Sequence, residues 1–250
     1  MGFKCGIVGL PNVGKSTLFN ALTKSSIPAE NFPFCTIEPN IGKVPLPDSR
    51  LVELNKIVNT KKIIPASLDL VDIAGLVKGA SQGEGLGNAF LSNIREMNAL
   101  AHVVRCFEDE NITHIDGSIN PVRDAEIINL ELILADLETV MKRLAKCEKL
   151  IKSNDKNNKL EHDLLLIIKD DLDAGNLINI NKFTEEEKII VKGFQLLSSK
   201  PTFYIANISD NGSSVEMFNQ LEDFAKKSGC IVIPTLSLIH ISEPTRPSQI

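Results

Sequence analysis

Apolar and polar residues alternate along this chain in blocks that predict strands and helices in turn. The run Phe3–Val8 is typical of a buried strand, and shortly after it Leu18, Phe19 and Leu22 fall on one face of a predicted helix. Later apolar runs predict further strands at residues 65–72, 101–107, 202–207 and 230–234. This alternation favours a three-layer α/β fold built on a mostly parallel sheet.

The pattern changes in the middle of the chain, where apolar spacing predicts one long amphipathic helix. Pro121 is well placed to open this helix, and apolar residues then recur every three, four or seven positions. They are Leu130, Leu134, Leu137, Met141, Leu144 and Ile151. A polar break at residues 153–158 precedes a return helix that Gly175 can end, and a third helix starts at Thr184. We therefore predict a helical, coiled-coil-like hairpin over residues 119–200, with a helical bundle packed on the sheet as the alternative.

Nine residues between the first strand and the first helix, Gly9–Thr17, match the phosphate-binding pattern G-x-x-x-x-G-K-[ST]. Glycines in such a loop let backbone N–H groups surround a polyphosphate, and the helix N-terminus adds partial positive charge. Lys15 is then placed to reach the β- and γ-phosphates, and the Ser16 hydroxyl to ligate Mg²⁺. Nucleotide contacts are expected from Asn12, Val13, Gly14, Lys15, Ser16 and Thr17. The chain is therefore predicted to bind a nucleoside triphosphate.

Three further motifs follow in the order found in nucleotide-dependent switches. Asp72 begins a D-x-x-G motif, in which the acid holds the Mg²⁺ shell and the N–H of Gly75 meets the γ-phosphate. Thr36 lies on an earlier loop and is suited to complete the Mg²⁺ coordination. Asn207 and Asp210 form an N-x-x-D motif where a base-reading segment is expected. Each motif alone is a common accident, but in this order they predict a switch-type nucleotide site.

The composition indicates the cellular compartment in which the protein is expected to act. The 250 residues carry a net charge of −5, and the five cysteines show no paired metal-ligand spacing, which favours a reducing compartment. A strand and a phosphate loop stand where a signal peptide would, and no apolar run approaches the length of a membrane span. We expect a cytoplasmic monomer that contacts neither membrane nor DNA. Basic residues between Lys142 and Lys159 are expected to form one projection, which either contacts nucleic acid or only solvates a helical tip.

With these residues in view, the chain resembles the Obg-like ATPases, also called the YchF family. The resembling stretches are Gly9–Thr17, residues 31–40, residues 70–80, residues 83–88, and Arg105–Asp109 with Thr113 and His114. The resemblance covers about residues 2–235. It implies a nucleotide-binding domain in two parts, 1–118 and 201–235, separated by the helical insert at 119–200. In the family a small TGS domain follows, and it has no counterpart in this sequence.

The last residues fit neither the nucleotide-binding domain nor the helical insert. Residues 236–250 resemble an in-frame translation of an adapter oligonucleotide used in DNA sequencing, with a native proline-rich tail as the alternative. We therefore exclude them from the fold prediction and expect the natural protein to continue beyond them.

The resemblance also implies the hydrolytic residues. Where related proteins often have a water-orienting glutamine, this chain has Leu76, whose side chain forms no hydrogen bond. His114 is the family's substitute for it, with a surface histidine as the alternative. Lys15 and Gly75 are expected to stabilise the phosphoryl group in transfer. Asn12 either holds a K⁺ ion beside the phosphates or bridges the loop by a hydrogen bond.

The base-reading segment leaves two nucleotides open. Ile208 stands where guanine-specific proteins have lysine, which favours ATP, whereas Asp210 offers a carboxylate to guanine where the family usually has glutamate. Phe107 and Asn207 complete the predicted base side of the site. The resemblance therefore implies a Mg²⁺-dependent ATPase that acts as a conformational switch on the ribosome, through the large subunit and its RNA. The alternatives are a GTPase of ribosome assembly and a nucleotide-sensing scaffold whose hydrolysis is incidental.

Overall fold

One sheet organises the molecule. The computed structural model describes residues 2–24, 39–73, 86–109, 112, 114, 117–150, 156–210 and 213–236. Its strands in these ranges are Phe3–Val8 (β1), Asn40–Pro45 (β2), Ser67–Asp72 (β3), Ala99–Arg105 (β4), Thr202–Asn207 (β5) and Val232–Thr235 (β6). They pair in the order β2-β3-β1-β4-β5-β6, with β2 antiparallel to β3 and the other neighbours parallel. The predicted α/β architecture with a mostly parallel sheet is confirmed.

Helices connect these strands in the described part of the chain. They are Lys15–Thr23 (α1), Ser49–Val58 (α2), Leu86–Arg95 (α3), Pro121–Leu150 (α4), Lys156–Asp173 (α5), Glu185–Gly193 (α6) and Ser213–Lys227 (α7). The predicted capping box opens α6, because Thr184 accepts a hydrogen bond from the Glu187 N–H and donates its own N–H to the Glu187 carboxylate. None of the helices described is long and apolar enough to cross a bilayer.

The sequence pattern gave no prediction for β2 and α2. In β2, half-buried and exposed residues alternate at the edge of the sheet, and α2 has no buried residue. Hydrophobic periodicity predicts elements that bury an apolar face in a core, so it does not predict β2 or α2. A local signal was nevertheless present at α2, where Asp48 caps the helix by accepting a hydrogen bond from the Arg50 N–H.

The long helix α4 buries only part of the predicted apolar seam, including Leu144. Leu130 and Met141 are 50% and 54% exposed, so the predicted seam through these positions is wrong. The first half of α4 packs into the sheet core, and the second half packs with α5 and α6. Residues buried in the sheet core include Ile128, Leu132 and Ala135, and residues buried with α5 and α6 include Ile133, Val140, Leu144 and Cys147. Because its partners change along its length, no single repeat describes α4, and the domain limits at 119 and 200 stay predictions.

A buried carboxylate on α4 fixes the entry to β5. The side chain of Asp136 is fully buried and accepts hydrogen bonds from the Leu197 N–H at 2.8 Å and from the Ser198 N–H and hydroxyl at 2.7 and 2.6 Å. Two residues after Ser198, the Lys200 ammonium donates to the carbonyls of Arg95, the last residue of α3, and of Met97. These contacts join α4, the end of α3 and the start of β5.

Replacing Asp136 with alanine should therefore destabilise the protein strongly. Two backbone N–H groups and one hydroxyl would lose their acceptor in a dry environment, which costs about 3 kcal/mol of unfolding free energy. Urea unfolding followed by circular dichroism measures this loss. Glu138→Ala on the exposed face of the same helix is the matched control and should cost less than about 1 kcal/mol. Equal losses in the two variants would show that the Asp136 contacts do not stabilise the fold.

Candidate nucleotide-binding site

The loop between β1 and α1 is shaped by close contacts that only glycine permits. Gly14 has a φ of +100°, and a Cβ there would lie 2.6 Å from the side-chain nitrogen of Asn207. A Cβ on Gly9 would lie 2.4 Å from the Val103 carbonyl oxygen. The two glycines of the phosphate-binding pattern thus let this loop approach β4 and β5 closely.

The side chain of Lys15 bends back toward this loop. Its residue is 7% exposed, and the ammonium donates a hydrogen bond to the Leu10 carbonyl at 2.7 Å. Burial lowers the pKa of Lys15 to about 8, and the nearby Asp72 carboxylate opposes that shift. A buried ammonium with one neutral partner and one carboxylate in range is well suited to receive a further anion. Phosphate oxygens are such anions.

Ser16 and Asp72 meet at the end of two neighbouring strands. The Ser16 hydroxyl donates to Oδ2 of Asp72 at 2.8 Å, and Asp72 is 2% exposed. Its other oxygen, Oδ1, is buried without a hydrogen-bond partner among the described atoms. Burial raises the pKa of Asp72, while the Ser16 bond and Lys15 oppose the rise. One hydroxyl and one orphaned carboxylate oxygen side by side form a donor set that fits a hard divalent cation such as Mg²⁺.

The segment that was predicted to read the base reaches the same loop from β5. Asn207 is 5% exposed and donates from Nδ2 to the Val13 carbonyl at 3.0 Å, while its Oδ1 is buried with no partner in the described structure. Ile208 packs against the apolar cluster under α7, and Asp210 is exposed. The Ser214 hydroxyl accepts from the Ser209 N–H at 3.1 Å and holds this turn to the start of α7.

Arg105 organises the loop that follows β4. Its guanidinium donates to three carbonyl oxygens, those of Phe107, Asp109 and Ile112, at 3.0 to 3.1 Å. The guanidinium carbon also lies 4.7 Å from the centre of the Phe107 ring. Arg105 is 1% exposed, so the chain is wrapped around this cation. Phe107 therefore sits at the C-terminal edge of the sheet, in a conformation that Arg105 holds.

His114 lies against the first turns of α4. Its side chain is 6% exposed, and Nε2 lies 2.9 Å from Oδ2 of Asp124, whose side chain is 2% exposed. The ring of His114 is therefore packed against α4, and its role in hydrolysis stays a prediction. Thr36, Gly75, Leu76 and Thr113 lie outside the described residues, so their expected roles stay predictions.

A further buried histidine was not anticipated from the sequence. His102 on β4 is 1% exposed, and its ring centre lies 5.1 Å from that of Tyr204 on β5. Burial, with a smaller effect of Lys15, lowers the pKa of His102 to about 3, so the ring is neutral at physiological pH. Asn129 on α4 donates to the Tyr204 hydroxyl at 3.1 Å. A signal existed in the sequence, since His102 and Arg105 are the polar residues in an otherwise apolar strand run.

Comparisons with known proteins identify the family to which this chain belongs. A family model described as 50S ribosome-binding GTPase matches residues 4–168. The Ribosome-binding ATPase YchF of Escherichia coli O157:H7 is 50% identical over 240 residues, which cover 96% of this chain and 66% of the relative. The protein of that name from Buchnera aphidicola subsp. Schizaphis graminum is 52% identical over 243 residues, covering 96% and 67%.

A solved structure supports the same relationship. The Schizosaccharomyces pombe YchF GTPase matches with a TM-score of 0.75 and 36% identity, over 95% of this chain and 66% of that one. The present chain thus spans about two thirds of the length of these relatives. Sequence identity, the family model and the shared fold agree, and the chain belongs to the YchF family within the 50S ribosome-binding GTPases.

Proposed function

We propose that this chain binds ATP with Mg²⁺, hydrolyses it, and uses the two nucleotide states as a conformational switch on the ribosome. The observation that carries the proposal is the meeting of Lys15, Ser16 and Asp72 beneath one glycine-bearing loop. The name Ribosome-binding ATPase YchF, carried by relatives at about half identity, supports the choice of nucleotide and of partner.

Phosphate binding uses groups that are already close together. The Lys15 ammonium exchanges its bond to the Leu10 carbonyl for phosphate oxygens, and the backbone N–H groups at the start of α1 bind the same anion. Ser16 and Asp72 would hold Mg²⁺, with Thr36 as the expected further ligand. When bound, Mg²⁺ supplies charge neutralisation at the β- and γ-phosphates. The Gly75 N–H is the proposed contact to the γ-phosphate.

The base side favours adenine. Ile208 packs into the apolar cluster under α7, so this position provides no lysine stem to cover a guanine ring. The unpartnered Oδ1 of Asn207 is a hydrogen-bond acceptor that could receive an amino group of either base, so the preference for adenine rests on Ile208. The exposed carboxylate of Asp210 is the specific feature that favours the second candidate, a GTPase of ribosome assembly. Phe107 is the proposed apolar contact to the nucleoside.

Two further groups complete the proposed cycle. His114 is the residue that would orient or deprotonate the attacking water, since Leu76 provides no polar group for this. Asn12, at a left-handed φ of 62° in the phosphate loop, would hold K⁺ beside the phosphates. Turnover in K⁺ and in Na⁺ at fixed ionic strength separates this role from a bridging hydrogen bond within the loop.

The second half of α4 is the proposed ribosome contact. Lys142, Lys146 and Lys149 are exposed there, and Lys159 is exposed on α5 nearby. A cationic surface on these two helices is complementary to the phosphates of ribosomal RNA. We propose that this contact is with the large ribosomal subunit, because the description of the matched family names the 50S subunit. We also propose that the protein acts in the cytoplasm as a monomer.

Lys15→Met should weaken the binding of ATP with Mg²⁺ by at least about tenfold, because a charge-assisted contact to phosphate is lost. Isothermal titration calorimetry with ATP and with GTP measures the loss and also ranks the two bases. Lys24→Met, at the exposed end of the same helix, is the control and should bind as the parent protein does. Unchanged affinity in Lys15→Met would reject the phosphate site, and tighter binding of GTP than of ATP would favour the GTPase.

His114→Ala should reduce the single-turnover rate of ATP hydrolysis by about 100-fold while nucleotide affinity stays within twofold. The reason is that the variant loses the group that acts on water and keeps the groups that bind phosphate. His162→Ala on α5 is the control, since that ring lies on the helix pair. Turnover equal to that of the parent protein would remove His114 from the mechanism.

Reversing the charge of Lys142, Lys146 and Lys149 to glutamate should weaken cosedimentation with ribosomes and flatten its salt dependence. Each lysine that contacts a phosphate contributes about one unit to the slope of log affinity against log salt concentration. The same three changes at Lys56, Lys61 and Lys62, exposed near α2, are the control. Two results would favour the scaffold alternative. One is ribosome binding that is unchanged by the charge reversals on α4, and the other is a protein partner that stays bound at high salt without RNA.

A further inference from the structure

The contact between His114 and Asp124 has the form of an orienting pair. Nε2 of the ring and Oδ2 of the carboxylate are 2.9 Å apart, and both side chains are almost fully buried. An ionised carboxylate only accepts hydrogen bonds, so the proton between the two groups belongs to Nε2. The lone pair of a neutral ring then lies on Nδ1. That atom is the one able to accept a hydrogen bond from water.

Asp124 is itself held in place by the start of α4. The Asn120 side chain caps this helix by accepting from the Arg123 N–H at 3.0 Å, and the Asp124 N–H donates to the Asn120 carbonyl at 2.9 Å. The second carboxylate oxygen, Oδ1, accepts from the Arg123 guanidinium at 3.2 Å. Directly after Asp124, Ala125 is buried in the core that α7 and β5 share. The carboxylate therefore has one fixed orientation.

Arg105 also holds the loop that carries His114. That guanidinium binds three carbonyl oxygens of the segment after β4, the last of them at Ile112, two residues before His114. The histidine is thus fixed between a cation that positions its backbone and a carboxylate that positions its ring. A carboxylate that binds one ring nitrogen in this way sets the tautomer and the orientation of an imidazole.

We propose that Asp124 is a positioning residue for hydrolysis, which sets the tautomer and the orientation of the His114 ring. The proposal rests on the proposed function, because it needs His114 to act on water. Asp124 contacts no nucleotide in this scheme and acts only through His114. A loop anchor with no part in hydrolysis would contribute to stability alone.

The first test is a double-mutant cycle on single-turnover ATP hydrolysis. Asp124→Asn should lower the rate constant by about tenfold with ATP affinity within twofold, because an amide is a weaker acceptor and presents a donor in its other orientation. In a His114→Ala background the same change should have no further effect. Asp124→Glu keeps a carboxylate near the ring and should have a rate closer to the parent protein than Asp124→Asn.

Asp136→Asn is the matched control, since it also changes a buried carboxylate on α4 but one that binds the turn before β5. It should lower stability and leave the rate constant unchanged under folding conditions. If Asp124→Asn keeps the parent rate, raises it, or lowers it equally with and without His114, the proposal is wrong. If His114→Ala alone has no effect, the proposed role of His114 fails first, which distinguishes the two failures.

The second test needs no variant of Asp124. Long-range ¹H–¹⁵N correlation spectra of the histidine-labelled parent protein report which ring nitrogen carries the proton, and His114→Ala identifies the resonance. We expect His114 with its proton on Nε2. A neutral ring with the proton on Nδ1 would overturn the proposal even if Asp124→Asn does not fold.

Discussion

The hydrogen bond from Ser16 to Asp72 is the contact on which the site depends. It joins the first turn of α1 to the end of β3, two elements more than 50 residues apart in sequence, at 2.8 Å. The bond exists because β1 and β3 are parallel neighbours, so their carboxyl ends reach the same edge of the sheet. Lys15, next in the chain to Ser16, is thereby brought within electrostatic range of the same carboxylate.

The other polar groups of the site follow from the same sheet edge. β5 ends at Asn207, which binds the Val13 carbonyl, and β4 ends at Arg105, which gathers the next loop around itself. Both β4 and β5 thus end in a side chain that donates hydrogen bonds to backbone carbonyls of a loop. The loops around the site are held by polar contacts to carbonyl oxygens and need no large apolar core of their own.

Much of this arrangement could be predicted from the sequence because its signals are local. The glycine-bearing loop, the capping box at Thr184 and the strands that end in Asp72 and Asn207 each appear within a few consecutive residues. What could not be predicted depends on pairs distant in sequence or on changing neighbours. The buried face of α4 changes partner along its length, and the partnership of Asp136 with Ser198 spans 62 positions. Asp124 and His114 are ten residues apart, yet no spacing rule for helices or strands connects a loop residue to the turn after it.

The continuity of α4 has a mechanical consequence. Its 30 residues form one unbroken helix, about 45 Å long, whose base packs on the sheet and whose far end carries the lysines. A rigid helix whose two halves pack against different elements works as a lever between them. A tilt of about 5° at Ile128, produced by a small shift of the strands, would displace the far end by about 3 Å. Conversely, a load applied to the far end is transmitted as torque to the turn that carries Asp124.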